Sequence, residues 1–239
     1  SENSQELESQ YLRNLVDRQV DGLILVPSNG THTLPADILA VPTVVLDRDI
    51  GVPGADFVGA DHEDGARRMV GHLVALGHRV IGCIHTEGDV VGHQRHAGYL
   101  EVVAPIFEEL ELDVAKYVWC GSFSFQSGMA GAEYLLRQDP PPTAIFASND
   151  QQAIGAMRRF MDGGMSIPRD MSVAGYDDIP LASFTNPRLS TVSQPIGQIG
   201  AQAVQWLLER AELHEAPSRR TRRQATELKI RESCAPPRR

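Results

Sequence analysis

Short apolar runs recur along this chain, nearly every one followed by a polar turn and then by an amphipathic stretch. That alternation limits the folds open to it. Runs at 22–26 (GLILV), 42–46, 56–60, 79–85, 116–120, 143–147 and 171–176 have the length and character of strands buried in a sheet. The stretch 62–76 places Ala66, Met69, Val70, Leu73 and Leu76 on one helical stripe, with Asp61 able to cap it and Gly77 closing it. Helical patterns also cover 4–20 (Leu7, Tyr11, Leu12 and Leu15 on one side), 92–112, 127–137 and 196–213, and a short one fits 33–40. Strand then helix, repeated, implies an α/β fold of parallel sheets with right-handed crossovers.

Residues 143–195 are the most informative part. The run 143–147 leads into Ser148, Asn149 and Asp150, one of which is expected to cap a helix whose inner face carries Ala153, Met157, Phe160 and Met161. Gly163 and Gly164 end that helix, and Pro168 bars its continuation. The strand over 171–176 then delivers Asp177 and Asp178 at its carboxyl end, ahead of a turn at 179–184 and a short return strand. Polar groups thus follow each strand directly, and the carboxyl edge of an open α/β sheet is where ligands bind. Further on, Arg219, Arg220, Arg222 and Arg223 read as a solvated loop, 225–231 as a last strand, and CAPPRR as a frayed tail.

Composition acts mainly by exclusion. The 239 residues allow one large domain or two lobes of about 100–130 each. A net charge of −9 argues against this stretch itself gripping a polyanion. No apolar run approaches the ~20 residues of a membrane helix, and SENSQELESQ lacks the basic start and apolar stretch of a signal peptide. Cys83, Cys120 and Cys234 have no paired spacing, and two fall in strand runs, so buried reduced thiols are expected rather than a disulfide frame. Nucleophile-elbow, P-loop and dinucleotide-binding patterns are absent, so no enzyme is read here. His93-x-x-His96 and the His78/His85 pair lack further ligands at metal spacing, and neither metal nor cofactor is expected.

Seven segments occur in a telling order: V-x-L-D-R-D (44–49), L-G-H-R-V-I (76–81), R-x-x-G-Y (95–99), S-N-D-x-x-A-x-G-A-M (148–157), P-R-D-x-S-V-x-G-Y-D-D-I-P (168–180), N-P-R-L-S-T-V-x-Q-P (186–195) and L-K-I-R-E-S-C (228–234). Together they resemble the effector-binding core of the lac repressor/galactose repressor (LacI/GalR) family of bacterial transcription regulators. The resemblance implies two doubly wound, Rossmann-like parallel-sheet lobes joined by crossover strands, periplasmic-binding-protein-like, at 1–59 plus 195–222 and 60–194 plus 223–239. It implies a cytoplasmic homodimer, with no membrane, that binds a sugar or sugar derivative between its lobes and thereby controls operator DNA. The family's first strand and helix, and its helix-turn-helix DNA reader, have no counterpart in these residues, so operator contact is expected from a domain not present in this chain. A periplasmic-type sugar-binding protein of a transport system is the alternative.

Six residues become candidates for the effector. Asp177, at a strand end, can accept two sugar hydroxyl bonds in a fixed orientation, while Asp178, pointing away, would cap the following turn. The resemblance assigns Asn149 and Arg95 to the ligand, and a guanidinium can hold vicinal hydroxyls or a carboxylate bidentately. Asp47 and Gln194 end strands at family positions that reach ligand or bridge the lobes. Phe123, preferred over Phe125 for its spacing to Ser127-Gly128, would offer its face to the C–H side of a sugar ring. Each has a plainer reading as a cap, a solvated charge or a packed aromatic.

Overall fold

The alternation of apolar run and amphipathic stretch builds two parallel sheets. The structure, a computed structural model, describes residues 5–28, 38, 40–212 and 218–238. In chain order the elements begin with α1 (Gln5–Asp17), β1 (Leu23–Leu25), β2 (Thr43–Leu46), β3 (Asp56–Ala60), α2 (His62–Ala75), β4 (Ile81–Thr86) and α3 (Val90–Glu109). There follow β5 (Val118–Gly121), α4 (Phe125–Leu135), β6 (Ala144–Ala147), α5 (Asp150–Asp162), β7 (Ser172–Ala174), β8 (Thr191–Ser193), α6 (Ile196–Glu212), β9 (Thr221–Gln224) and β10 (Glu227–Lys229). The helix expected at 33–40 lies almost wholly outside the described residues. The chain divides into unit 1 (Ser1–Asp61, Gly88–Val91, Pro195–Ala225) and unit 2 (His62–Glu87, Gly92–Gln194, Thr226–Arg239).

In unit 1 the sheet order is β1-β2-β3-β9, all parallel. Successive strand residues point to opposite faces, so Val45 and Phe57 join Leu12 of α1 in one buried cluster, while Val44 and Val58 join Ile199 and Ala203 of α6 in another. On α1 the expected stripe is wrong. Leu12 is buried, but Leu7, Tyr11 and Leu15 are 38%, 55% and 39% exposed. The inward line instead pairs Leu12 with Glu8, whose Oε2 accepts the Ser28 backbone N–H at 2.5 Å.

The arginine cluster is also no solvated loop. Asp56, at the start of β3, is fully buried and accepts Nε and Nη2 of Arg210 at 2.7 and 2.6 Å. Arg220 adds its backbone N–H at 2.7 Å and its Nε and Nη2 at 2.9 and 2.7 Å. Burial alone would raise this carboxyl, but the hydrogen bonds from both arginines outweigh it and its pKa lies below the ordinary value. Arg219 pairs with Asp49, Arg222 with Gln202, and the Arg220 guanidinium lies 4.8 Å from the centre of the Trp206 ring. The cluster runs into an edge strand because acids distant in sequence wait for it.

In unit 2 the parallel sheet runs β5-β4-β6-β7, beside an antiparallel ribbon of β8 and β10. Ala66, Met69, Val70 and Leu73 of α2 are buried as expected, as are Ala153, Met157 and Phe160 of α5, whereas Met161 is 40% exposed. Helices α4 and α5 meet backbone to backbone: a Cβ on Gly128 would lie 2.0 Å from the Gln152 carbonyl oxygen, and one on Gly155 2.1 Å from that of Phe125. The tail does not fray. Val173 N–H donates to the Ser233 carbonyl at 2.9 Å, Ala235 N–H to Ser172 Oγ at 3.1 Å, and His78 Nε2 meets the Ala235 carbonyl at 2.9 Å. It thereby satisfies backbone groups along β7. All three cysteines are free: Cys83 is buried, its thiol pushed far up by burial, Cys234 is half-buried, and Cys120, contrary to expectation, is exposed. Among the described residues no helix is long and apolar enough to cross a membrane.

Candidate functional site

The carboxyl edge of the unit 2 sheet gathers the polar side chains. β6 ends at Ala147, and Asn149 takes the N-cap of α5, its Oδ1 accepting the Gln152 N–H at 2.8 Å. After β7 the chain turns through Asp177 (φ 106°) and Asp178 (φ 56°), both in the region that favours glycine. Such residues cost about 1–3 kcal/mol each and persist only where the surroundings hold them. Here the Asp177 N–H donates to the Val192 carbonyl at 2.8 Å, anchoring the turn on β8.

Asp177 Oδ1 accepts Nη2 of Arg95 at 2.8 Å and Nε2 of Gln194 at 2.8 Å, while the side chain keeps 27% of its surface exposed. Arg95, on α3, is only 3% exposed. Its Nη1 donates to the Ser148 carbonyl at 2.6 Å, its Nε reaches His62 Nδ1 at 3.4 Å, and its guanidinium lies 3.8 Å from the centre of the Tyr176 ring. A buried charge needs such a set of partners. Arg95, Asp177 and Gln194 are therefore bonded into one cluster, with Asn149 next in the chain to the carbonyl that Arg95 holds. Phe123 is half-buried in the turn before α4, where Ser124 caps the helix by accepting the Ser127 N–H at 3.2 Å. Phe125 is the first residue of α4 and 37% exposed. Asp47 lies in unit 1, directly after β2, with φ 65° and its N–H on the Val58 carbonyl at 3.2 Å.

Asp178 does not cap the next turn. The 3₁₀ helix Pro180–Ser183 starts from Ile179 without a side-chain cap, and Asp178 pairs instead with Arg231. The buried acid at this edge is Asp150, which sequence reasoning grouped with the caps. It is fully buried, its Oδ1 accepting Thr191 Oγ1 at 2.5 Å and its Oδ2 the Ile179 N–H at 2.8 Å. Burial lifts its pKa to about 7 against those two bonds, helped by the charges of Asp177 and Asp178. Since one side chain in Ser148-Asn149-Asp150 suffices as a cap, the adjacency of three was the signal that another serves elsewhere.

The histidines form a stack rather than a metal pair. The rings of His85 and His96 lie 4.2 Å apart at 15°, and burial lowers both pKa values, that of His96 to about 4 with His85 and His93 adding to it. His78 bonds Thr143 Oγ1 at 2.8 Å and the tail. Among the described residues no group of three or more histidine, cysteine, aspartate or glutamate side chains could hold a metal ion.

Comparison with known proteins follows the same line. Residues 70–234 match the periplasmic binding protein-like domain. The ribose operon repressor of Haemophilus influenzae is 35% identical over 207 residues, covering 84% of this chain and 60% of that protein. Among solved structures, the transcriptional regulator CelR in complex with cellobiose has a TM-score of 0.82 at 30% identity, over 96% of this chain and 71% of that one. A LacI family regulator from Enterococcus faecium with bound ribose has a TM-score of 0.80 at 29% identity, over 95% and 84%. The chain spans about 60% of the length of the curated repressors it matches. With its ordered motifs, its two parallel sheets and these relatives, the chain belongs to the LacI family of transcriptional regulators and carries their periplasmic binding protein-like domain.

Proposed function

We propose that this chain is the ligand-sensing and self-associating part of a cytoplasmic LacI-type repressor. It binds a sugar or sugar derivative at the carboxyl edge of the unit 2 sheet, and a helix-turn-helix domain of the whole protein reads operator DNA. The observation that carries this reading is the Arg95–Asp177–Gln194 cluster, in which a strained, partly exposed carboxylate is held from behind by a buried guanidinium. A sugar hydroxyl both donates and accepts, so Asp177 takes its hydrogen while Arg95, Asn149 and Gln194 offer N–H groups. Phe123 supplies an aromatic face for the ring, and the family resemblance adds Asp47 of unit 1. No turnover of the sugar is part of this reading. Repressors among the curated relatives, and transcriptional regulators solved with cellobiose or ribose bound, favour a regulator over a transport protein.

The ligand alters operator affinity only by the difference in its affinity for two states of the dimer. A thermal-shift screen against D-ribose, cellobiose, further sugars and nucleobases tests the sensing role. A compound at a hundredfold excess over Kd stabilises the protein by about 2.7 kcal/mol. Asp177→Asn is the fair control, because alanine would strand the buried Arg95. That variant should lose about one to two decades of affinity, as for a charge-assisted bond of ~1.5–3 kcal/mol. An undiminished shift in Asp177→Asn would refute the site.

A further inference from the structure

Gln152 is the third residue of α5 and has no exposed surface. A buried amide must place donors and an acceptor, and this one places them at the ends of three different strands. Its Oε1 accepts Ser148 Oγ at 2.9 Å, and its Nε2 donates to the Ser122 carbonyl at 2.9 Å and to Thr86 Oγ1 at 3.2 Å. Ser148 follows β6, Thr86 ends β4 and Ser122 follows β5, so one side chain ties together three adjacent strand ends. Its backbone N–H is the one that Asn149 caps. Both Nε2 hydrogens and the Oε1 acceptor of Gln152 are taken up within the chain, so it stands behind the ligand groups rather than among them.

The turn at 122–124 is what this bond secures. The Ser122 carbonyl accepts both the Ser124 N–H, at 2.8 Å, and Gln152 Nε2, while the Ser122 and Ser124 hydroxyls meet at 3.0 Å. Phe123 sits between them. Gly128 brings α4 directly against the Gln152 backbone, so the start of α4 and the turn before it are referenced to the same residue. Resting on the ligand reading above, we infer that Gln152 is a positioning residue: it sets Phe123 against Asn149 and so selects ligands whose ring stacks on Phe123 while bonding to Asn149.

Gln152→Met keeps the length of the side chain and removes its hydrogen bonds. Hydrogen exchange over 121–127 should be about tenfold faster in this variant, with the β4 and β6 amides unchanged. Titration calorimetry with D-ribose and with cellobiose supplies the second readout, on wild type, Phe123→Ala, Gln152→Met and the double variant. The sugar bound by wild type should bind Gln152→Met about tenfold more weakly, with no further loss in the double variant than in Phe123→Ala. Unchanged exchange over 121–127 overturns the inference whether or not either sugar binds. Additive losses also overturn it, because Gln152 would then act independently of Phe123. Intact binding in both Phe123→Ala and Asp177→Asn defeats the ligand reading, and this inference with it. If Gln152→Met fails to fold, Gln152→Glu decides: its protonated acid can donate to Ser122 and accept from Ser148. Its exchange, relative to wild type at the same pH, should slow toward parity as the pH falls, and a ratio independent of pH would overturn the proposal.

Discussion

Replacing Asp56 by alanine should destabilise unit 1 selectively. The substitution removes the acceptor shared by Arg210, Arg220 and the Arg220 backbone N–H. The Arg210 side chain is 6% exposed and the Asp56 side chain 0%, so the lost partner leaves a buried guanidinium uncompensated, which costs about 3–5 kcal/mol. Arg220 is 29% exposed and keeps Glu209 as a partner, so its share is discounted to about 1 kcal/mol at most. A loss near 4 kcal/mol is a large fraction of the ~5–15 kcal/mol that holds a typical domain. The assay is built into the chain. Trp206 lies beside Arg220 in unit 1, and the only other tryptophan, Trp119, lies in unit 2. In a Trp119→Phe background, urea unfolding followed by fluorescence reports unit 1 alone, and the midpoint should fall by about 2 M at an m value near 2 kcal/mol/M. The same bonds depress the Asp56 pKa. Its stabilisation is therefore present above the unfolded value, about pH 4, and is lost as the pH falls through the folded one. A midpoint within about 0.3 M of the parent would show that the buried pair contributes little.

Asp150 has the opposite sign. Its folded pKa is raised from 3.8 to about 7, so its contribution is complete below pH 3.8 and is lost as the pH rises through about 7. Unit 2, followed by Trp119 in a Trp206→Phe background, should lose stability across that window in wild type and lose less in Asp150→Asn; equal slopes would refute the assignment. Gly128→Ala drives a Cβ to 2.0 Å from a backbone carbonyl and should lower the melting temperature by several degrees, as expected for ~1–3 kcal/mol of overpacking. Gly71→Ala on α2, where the added Cβ meets nothing within 4 Å, should raise it slightly, and equal effects of the two would refute the close-packing argument.

What the sequence made legible is what consecutive residues encode. The strand read at 56–60 is observed residue for residue, the cap before α5 is there, and Asp177 follows a buried strand, although that strand covers Ser172–Ala174 rather than the whole of 171–176. Misreadings share one physical cause, a partner far away in the chain. The local sequence does not show that the charge of Arg95, which the resemblance assigns to the ligand, is met within the chain by Asp177 and by the carbonyl of Ser148, 53 positions on. Asp178 looked like a cap because Arg231, also 53 positions on, gives no local sign of itself. The arginine run looked solvated, although Asp56, 164 positions before Arg220, holds it, just as it holds Arg210, 154 positions on. On α1 the periodicity was real, but a buried glutamate rather than Leu7 or Leu15 follows the inward line. Periodicity, caps and glycines report local conformation; the pairing of buried charges is a property of topology.

That separation of 154 positions has a consequence during synthesis. β3 leaves the ribosome with Asp56 already in place, but Arg210, Arg220 and strand β9 follow only after nearly all of unit 2. At about 5–20 residues per second, the delay is on the order of 10–30 seconds. Throughout it, β3 has an open edge and an unneutralised acid, while the strands of the unit 2 sheet, β4 to β7, emerge one after another. The first-made lobe is thus the last to close, and a nascent chain stalled before residue 210 would expose a half-built sheet to chaperones and proteases.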